Sequence, residues 1–203
     1  MSRTPIDLSL ATVQARLASH DPREPIVDVL SPRRAAVAAL LRYRDQSPEV
    51  LLMERAARPG DRWSGQISFP GGREEERDRD ARATAIRETE EEVGLALERC
   101  AALLGRLDGV QAMARGVSLP LVITPFVFVQ TEPAALALGP EAASTFWLPL
   151  EPAAAGALDD VYPYRLGPVR MKLPCFQHEG RVIWGLTYRM LRDLLDVVGA
   201  RPK

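Results

Sequence analysis

The sequence predicts a mixed α/β fold, and three observations carry that reading. Short apolar runs at residues 34–43, 50–53 and 120–130 have the length and composition of buried strands. The polar stretch 80–93 has an N-cap residue at its start, Asp80, and a glycine just past its end, Gly94, as a helix does. Residues 186–198 place Leu191, Leu194, Leu195 and Val198 on one face, the spacing of an amphipathic helix.

The elements follow in order. Leu8, Val13 and Leu17 recur among polar residues, with Ser9 and Thr12 as caps, so a short helix is expected there. Residues 20–32 contain three prolines and read as a connector. His20 reads as a surface residue in it. A segment 1–32 therefore precedes a main domain over 33–203. The runs 34–43 and 50–53 flank Asp45-Gln46-Ser47-Pro48, a turn between two strands. Residues 54–68 hold too much Gly, Pro and charge for a regular element. After the helix at 80–93, residues 101–107 read as a strand, 108–119 as a loop and 120–130 as the clearest buried strand. Pro125 suggests a bulge or an edge position in that strand. A loop at 131–144, a strand at 146–148 and a short Ala-rich helix at 150–158 follow. Strands at 162–165, 169–176 and 182–183 precede the last helix, with a turn at His178-Glu179-Gly180.

The chain has 203 residues and a net charge of −1. That length suits one domain with a sizeable core. The charge provides no global basic field, which argues against nucleic acid as a partner. No apolar run is long enough to span a bilayer, and no N-terminal signal pattern is visible. The two cysteines, Cys100 and Cys175, are too few and too scattered for a disulfide framework or a zinc site. A reducing cytoplasm is the simpler location. A homodimer is compatible with the sequence.

The helix at 80–93 carries the chemistry. Glu88, Glu91 and Glu92 fall three and four residues apart on one face, while Ala85, Thr89 and Val93 form a less polar stripe that can face inward. Like charges at that spacing weaken an isolated helix. Solvent screening or a bound divalent cation offsets them. Mg²⁺ and Mn²⁺ take hard oxygen ligands, and ionised carboxylates supply them. Arg87 stands four residues before Glu91, placed to pair with it and orient it. Gly71 and Gly72 allow close backbone approach to a metal or phosphate.

The stretch Phe69-Pro70-Gly71-Gly72 through Arg87-Glu88-Thr89-Glu90-Glu91-Glu92-Val93-Gly94-Leu95 resembles the Nudix box, G-x5-E-x7-R-E-U-x-E-E-x-G-U. Gly72, Arg87, Glu88, Glu91, Glu92, Gly94 and Leu95 match. One extra residue lies between Gly72 and Arg87. The box's earlier Glu falls on Asp78 when counted forward and on Arg79 when counted back. Thr89 replaces an aliphatic residue. The extra residue, the Asp78/Asp80 pair and Thr84-Ala85-Ile86-Arg87-Glu88 look like the coenzyme A pyrophosphatase branch. Leu51, Leu52, Arg55, Gly65, Phe69, Pro70, Gly71 and Gly72 match a motif that precedes the box in that branch, with Met53 in place of Thr and Ala56 in place of Ser. Trp184-Gly185-Leu186-Thr187 also looks like the branch.

The resemblance implies an α/β/α sandwich with a central mixed sheet and a loop-helix-loop box. It implies metal-dependent hydrolysis of a nucleoside diphosphate linked to another moiety, with coenzyme A or acyl-CoA as the specific substrate. Glu88, Glu91, Glu92 and Gly72 are the expected metal site, and Glu91 and Arg87 belong to the catalytic set. A general base within reach of the attacking water is also needed. Glu132, Glu141, Glu151 and Asp108 are candidates, and Glu141, ahead of Phe146-Trp147-Leu148-Pro149, is the choice. Arg55, Arg58, Arg62 and Arg115 are the candidates for gripping phosphate. Trp63 and Phe128 read as core aromatics before base-stacking ones. Two other readings stand beside this one: a pyrophosphatase acting on ADP-ribose, dinucleoside polyphosphates or NDP-sugars, and a nucleotide-sensing module without turnover.

Overall fold

The computed structural model describes residues 6–27, 32–58, 63–114 and 117–200. The elements are α1 (Leu10–Ser19), β1 (Arg33–Arg44), β2 (Ser47–Arg55), β3 (Ile67–Ser68), β4 (Gly71–Arg73), α2 (Ala81–Val93), α3 (Leu97–Cys100), β5 (Ala101–Arg106), β6 (Val110–Ala114) and β7 (Val117–Gln130), followed by β8 (Ala142–Pro149), α4 (Leu150–Ala154), β9 (Asp159–Leu166), β10 (Val169–His178), β11 (Arg181–Trp184) and α5 (Gly185–Val197). The main sheet runs β3-β2-β1-β7-β5, with β4 beside β1, β6 beside β7 and β8 beside β2. β1 and β7 pair in parallel and the other pairs are antiparallel, so the sheet is mixed. A second sheet holds β11-β10-β9.

β1 explains how the layers form. Its alternate residues enter two different cores. Ala36, Ala38 and Leu40 face α2 together with Ala85 and Val93. Val37, Ala39 and Leu41 face the opposite way, with Val13 and Leu17 of α1 and Leu191, Leu194 and Leu195 of α5. A strand covered on both faces needs a continuous apolar run rather than an alternating one, which is why 34–43 reads as RAAVAALLRY. The small side chains at 36 and 38 let α2 lie close to the sheet.

The local signals act as expected. Ser9 caps α1 by accepting from the Thr12 amide. Asp45 and Gln46 adopt φ of 49° and 68°, the left-handed pair of a tight hairpin turn between β1 and β2. Asp80 caps α2, and Gly94 ends it at φ 73°.

Some expectations are corrected. Residues 108–119 are not a loop: most of them form the β6–β7 hairpin. Val110 and Ala112 are buried while Met113 is exposed, an alternation too short to see beside two glycines. The charged stretch 54–68 contributes Glu54 and Arg55 to β2 and, at its end, forms β3. Gly71 and Gly72, at the start of the box, are strand residues paired with β1. Pro125 sits in a strand with partners on both sides. Its carbonyl accepts from the Leu107 amide, on the side where β5 has ended and β6 has not begun. A residue's N–H and C=O point to the same side of an extended strand, so the missing N–H faces that break in the partner strands and no ladder bond is lost.

Candidate active site

α2 and β4 build the site between them. Ala85, Thr89 and Val93 are fully buried and seat the helix on the sheet. This turns Glu88 and Glu92 toward β4. At Gly72 any side chain would overlap the Glu88 carboxylate, so glycine is required for that approach. The Gly71 amide donates to Glu92 Oε2 at 2.8 Å. The two glycines therefore act as a floor on which two carboxylates rest.

Glu92 is only 2% exposed. Burial pushes its carboxyl up to about 7; the Gly71 amide and Arg55 pull it back, while Glu88 and Glu141 add to the rise. Arg55 Nη1 stands 3.8 Å from Glu92 Oε1. Glu88 is also pushed up by burial, against the pull of Arg87, with Glu91 and Glu141 adding to the rise. Glu141 thus lies within the electrostatic reach of both Glu88 and Glu92.

The loop after β7 delivers Glu141. The Ala137 amide donates to the Val93 carbonyl and the Gly139 amide to the Glu92 carbonyl, at 2.9 and 2.8 Å. A side chain at Gly139 would overlap the Glu91 carbonyl. The Ala56 amide donates to the Glu141 carbonyl at 2.8 Å, and Arg58 Nη1 lies 2.9 Å from Glu141 Oε1. The other base candidates lie elsewhere. Asp108 accepts from the Arg23 amide and stands 3.0 Å from His20 Nε2, and Glu151 accepts from Ser47 at the β1–β2 turn. The Glu132 amide donates to the Cys100 carbonyl.

Arg87 is the organising cation. Its Nε and Nη2 donate to the two oxygens of Asp78, each at 2.9 Å, a bidentate pair in which Asp78 is 4% exposed. It also donates to Glu88 Oε1 at 3.0 Å, to Glu91 Oε2 at 3.1 Å and to the Arg73 carbonyl at 3.1 Å. Asp78 further accepts from the Glu75 amide and the Thr84 hydroxyl. Arg87 holds the Asp78 carboxyl far below the usual carboxylate range. Of the two residues that counting left open, Asp78 is thus the one tied to the box. Arg79 lies on the surface, 3.8 Å from Asp80 and 3.9 Å from Glu98. Sequence reasoning noted Asp78 without a role. Nine residues before an arginine is no standard helical or turn spacing, so no local rule flags the pair.

Glu91 is half-exposed and sits between Arg87 and Arg77, the latter at 3.1 Å. Arginines thus offset part of the acidic face of α2. Among the described residues no three acidic, His or Cys side chains are gathered closely enough to hold a metal as they stand. The donor set still suits a hard divalent cation: two carboxylates largely shielded from water, each with burial outweighing the pull of its one arginine, resting on glycine backbone, with a third carboxylate near. Arg55 and Arg58 lie against Glu92 and Glu141. Arg62 and Arg115 fall outside the described residues. Phe128 is core. Among the described residues no helix is long and apolar enough to cross a membrane.

Comparison with known proteins fits this geometry. The NUDIX domain family model matches residues 32–166. A protein of Schizosaccharomyces pombe is 32% identical over 71% of this chain, which spans 49% of that relative's length. The Nudix hydrolase NudL of Citrobacter koseri is 32% identical over 84% of this chain and 85% of its own. Two solved structures share the fold: a MutT/nudix family protein from Enterococcus faecalis (16% identity, TM-score 0.53, 94% of this chain and 75% of that one) and the Nudix hydrolase RenU from M. smegmatis (16% identity, TM-score 0.51, 86% and 91%). With the box helix, its glycine floor and a matching domain over most of its length, the chain belongs to the Nudix hydrolase family.

Proposed function

We propose that the protein is a divalent-metal-dependent pyrophosphohydrolase that cleaves the phosphoanhydride of coenzyme A or acyl-CoA, with water entering, to give 3′,5′-ADP and a 4′-phosphopantetheine product. The observation that carries the hydrolytic reading is the pair of carboxylates, half-buried Glu88 and buried Glu92, set against the backbone of Gly71 and Gly72. Glu88, Glu91 and Glu92, with the backbone of Gly72, are the groups that would hold Mg²⁺ or Mn²⁺. Bound there, the metal neutralises diphosphate charge and makes water a better nucleophile. Glu141 takes the proton of the attacking water, and Arg58 orients it. Arg87 positions Glu88 and Glu91 while anchored by Asp78. Arg55 and Arg58 supply positive charge beside the carboxylates for the phosphates to meet.

The coenzyme A part rests on the residues ahead of the box and on Thr187. The Thr187 hydroxyl donates to the Ile67 carbonyl at 2.8 Å and ties α5 to the strand that leads into Phe69-Pro70-Gly71-Gly72. Met53 and Ala56 favour a second reading, hydrolysis of another nucleoside diphosphate derivative. Incubation with coenzyme A, ADP-ribose, dinucleoside polyphosphates and NDP-sugars in Mg²⁺ or Mn²⁺, with products identified by mass spectrometry, separates the two. Turnover of ADP-ribose with none of coenzyme A would overturn the first.

A further inference from the structure

The second sheet carries a face that no core covers. β9 and β10 form a ribbon closed by the two-residue turn Gly167-Pro168. Alternate side chains point to opposite faces of such a ribbon. At its base Phe176, with Ile183 of β11, turns inward and joins the core behind the main sheet. Arg165, Arg170 and Lys172 share that face further out. On the opposite face lie Leu166, Tyr164 and Tyr162 of β9, Val169 and Met171 of β10, and Trp184 of β11. Tyr162 and Tyr164 pack on Trp184 at ring-centroid distances of 4.7 and 5.2 Å. Among the described residues, none of these six belongs to the clusters that form the cores. Val169 is 54% exposed and Met171 41%.

Charge is the second observation. From Val161 to His178 the chain has three cations, Arg165, Arg170 and Lys172, and no acidic residue. Arg165 and Arg170 stand directly opposite each other in the register, a placement in which like charges weaken a strand pair. Arg165 donates to the Gly167 carbonyl at 3.2 Å. Among the described residues, neither Arg170 nor Lys172 has a carboxylate partner. Along the ribbon the chemistry is therefore ordered: aliphatic at the tip, cationic and aromatic behind it, acidic at Asp159 and Asp160 where β9 begins. A lipid layer presents the matching order, from acyl chains through charged headgroups to water, with Tyr and Trp favoured at the boundary. A second copy of the chain fits less well. Two apolar faces stacked on each other would leave the cations of both ribbons unpaired on the outside.

We infer that the β9–β10 ribbon docks the protein on a membrane surface bearing anionic lipid headgroups. Leu166, Val169 and Met171 enter the outer acyl layer, and Arg165, Arg170 and Lys172 reach the headgroups from the other face, as long basic side chains do at such boundaries. A strand rises about 3.3 Å per residue, so the last three residues of each strand span about 10 Å, the depth that amphipathic surface elements reach. The inference is independent of the reaction proposed above.

Co-sedimentation of the full chain with vesicles tests it. Binding to vesicles of mixed phosphatidylcholine and phosphatidylglycerol is expected in dilute buffer, with release at about 0.5 M salt. Binding to phosphatidylcholine alone is expected to be much weaker. Arg170→Ala combined with Lys172→Ala should lower the partition coefficient about 30-fold. Val169→Ser combined with Met171→Ser should lower it about tenfold or more. Circular dichroism and turnover of a soluble substrate should be unchanged in both, which separates docking from the catalytic reading. The salt response of the wild type needs no variant. No binding to the mixed vesicles, equal binding to both kinds of vesicle, or binding untouched by both pairs of substitutions overturns the docking. So does a dimer in sedimentation velocity that Val169→Ser with Met171→Ser dissolves, because the face then belongs to a second copy.

Discussion

At the scale of single residues, Glu92 and Asp78 show two opposite ways to keep a buried carboxylate. Glu92 has one backbone donor and a distant arginine, so burial dominates and its charge is costly. Asp78 has a bidentate arginine, a backbone amide and a hydroxyl, so its charge is favoured. Glu92→Gln and Glu91→Gln are each expected to lower kcat roughly 100-fold while the fold survives. Added Mg²⁺ should raise the Tm of the wild type but much less that of either variant. Wild-type rates in both would remove the metal assignment. Asp78→Asn takes away the bidentate partner of Arg87, which keeps Glu88 and Glu91, and should cost about 2 kcal/mol in urea denaturation. The pH dependence has a definite sign. The native carboxyl lies below its unfolded value near 3.8, so its contribution is complete above about pH 4 and fades as pH falls toward the native value. Wild-type stability should therefore drop between about pH 4 and pH 2 more steeply than that of Asp78→Asn.

At the scale of elements, α2 is set by its ends and its inward stripe rather than by its acidic face. Removing the Asp80 cap, which accepts from the Ala83 amide at 2.7 Å, should cost about 1 kcal/mol in Asp80→Ala. The loop after β7 is a second positioning element. Its approach to α2 depends on Gly139, where a methyl group has no room beside the Glu91 carbonyl. Gly139→Ala should push the loop, and Glu141 with it, away from the site. The expected result is a lower kcat with a smaller change in KM, together with destabilisation of about 1–3 kcal/mol. An unchanged kcat would separate the loop from the chemistry.

At the scale of the whole molecule, the N-terminal segment and the last helix share one core behind the sheet. Val13 and Leu17 of α1 lie in the same cluster as Leu191, Leu194 and Leu195. Residues 20–24 are then strapped to the β5–β6 connection: His20 and the Arg23 amide meet Asp108, Glu24 pairs with Arg106 at 2.6 Å, and the Gly109 amide donates to the Arg23 carbonyl. Leu17→Ala should cost about 2–4 kcal/mol although it lies far from the carboxylates. Loss of stability with kcat preserved in the folded fraction is the outcome to measure.

What the sequence determined by itself was whatever acts over a few residues. The caps of α2, the first half of the turn expected at Asp45-Gln46-Ser47-Pro48, the strand character of 120–130, the face of α5 and the acidic residues of the box all follow from short-range spacing. The box also showed the family. Tertiary structure decided how those residues are used. It hid the alternation of Val110 and Ala112 until β7 paired with it, and it placed Pro125 at a gap between partner strands. It gave Arg87 its partner Asp78, buried Glu92 and brought Glu141 beside Glu88 and Glu92 rather than Glu132, Glu151 or Asp108. The reason is physical: cap and periodicity signals act through neighbouring backbone groups, while burial and ion pairing depend on segments that meet only when the sheet closes.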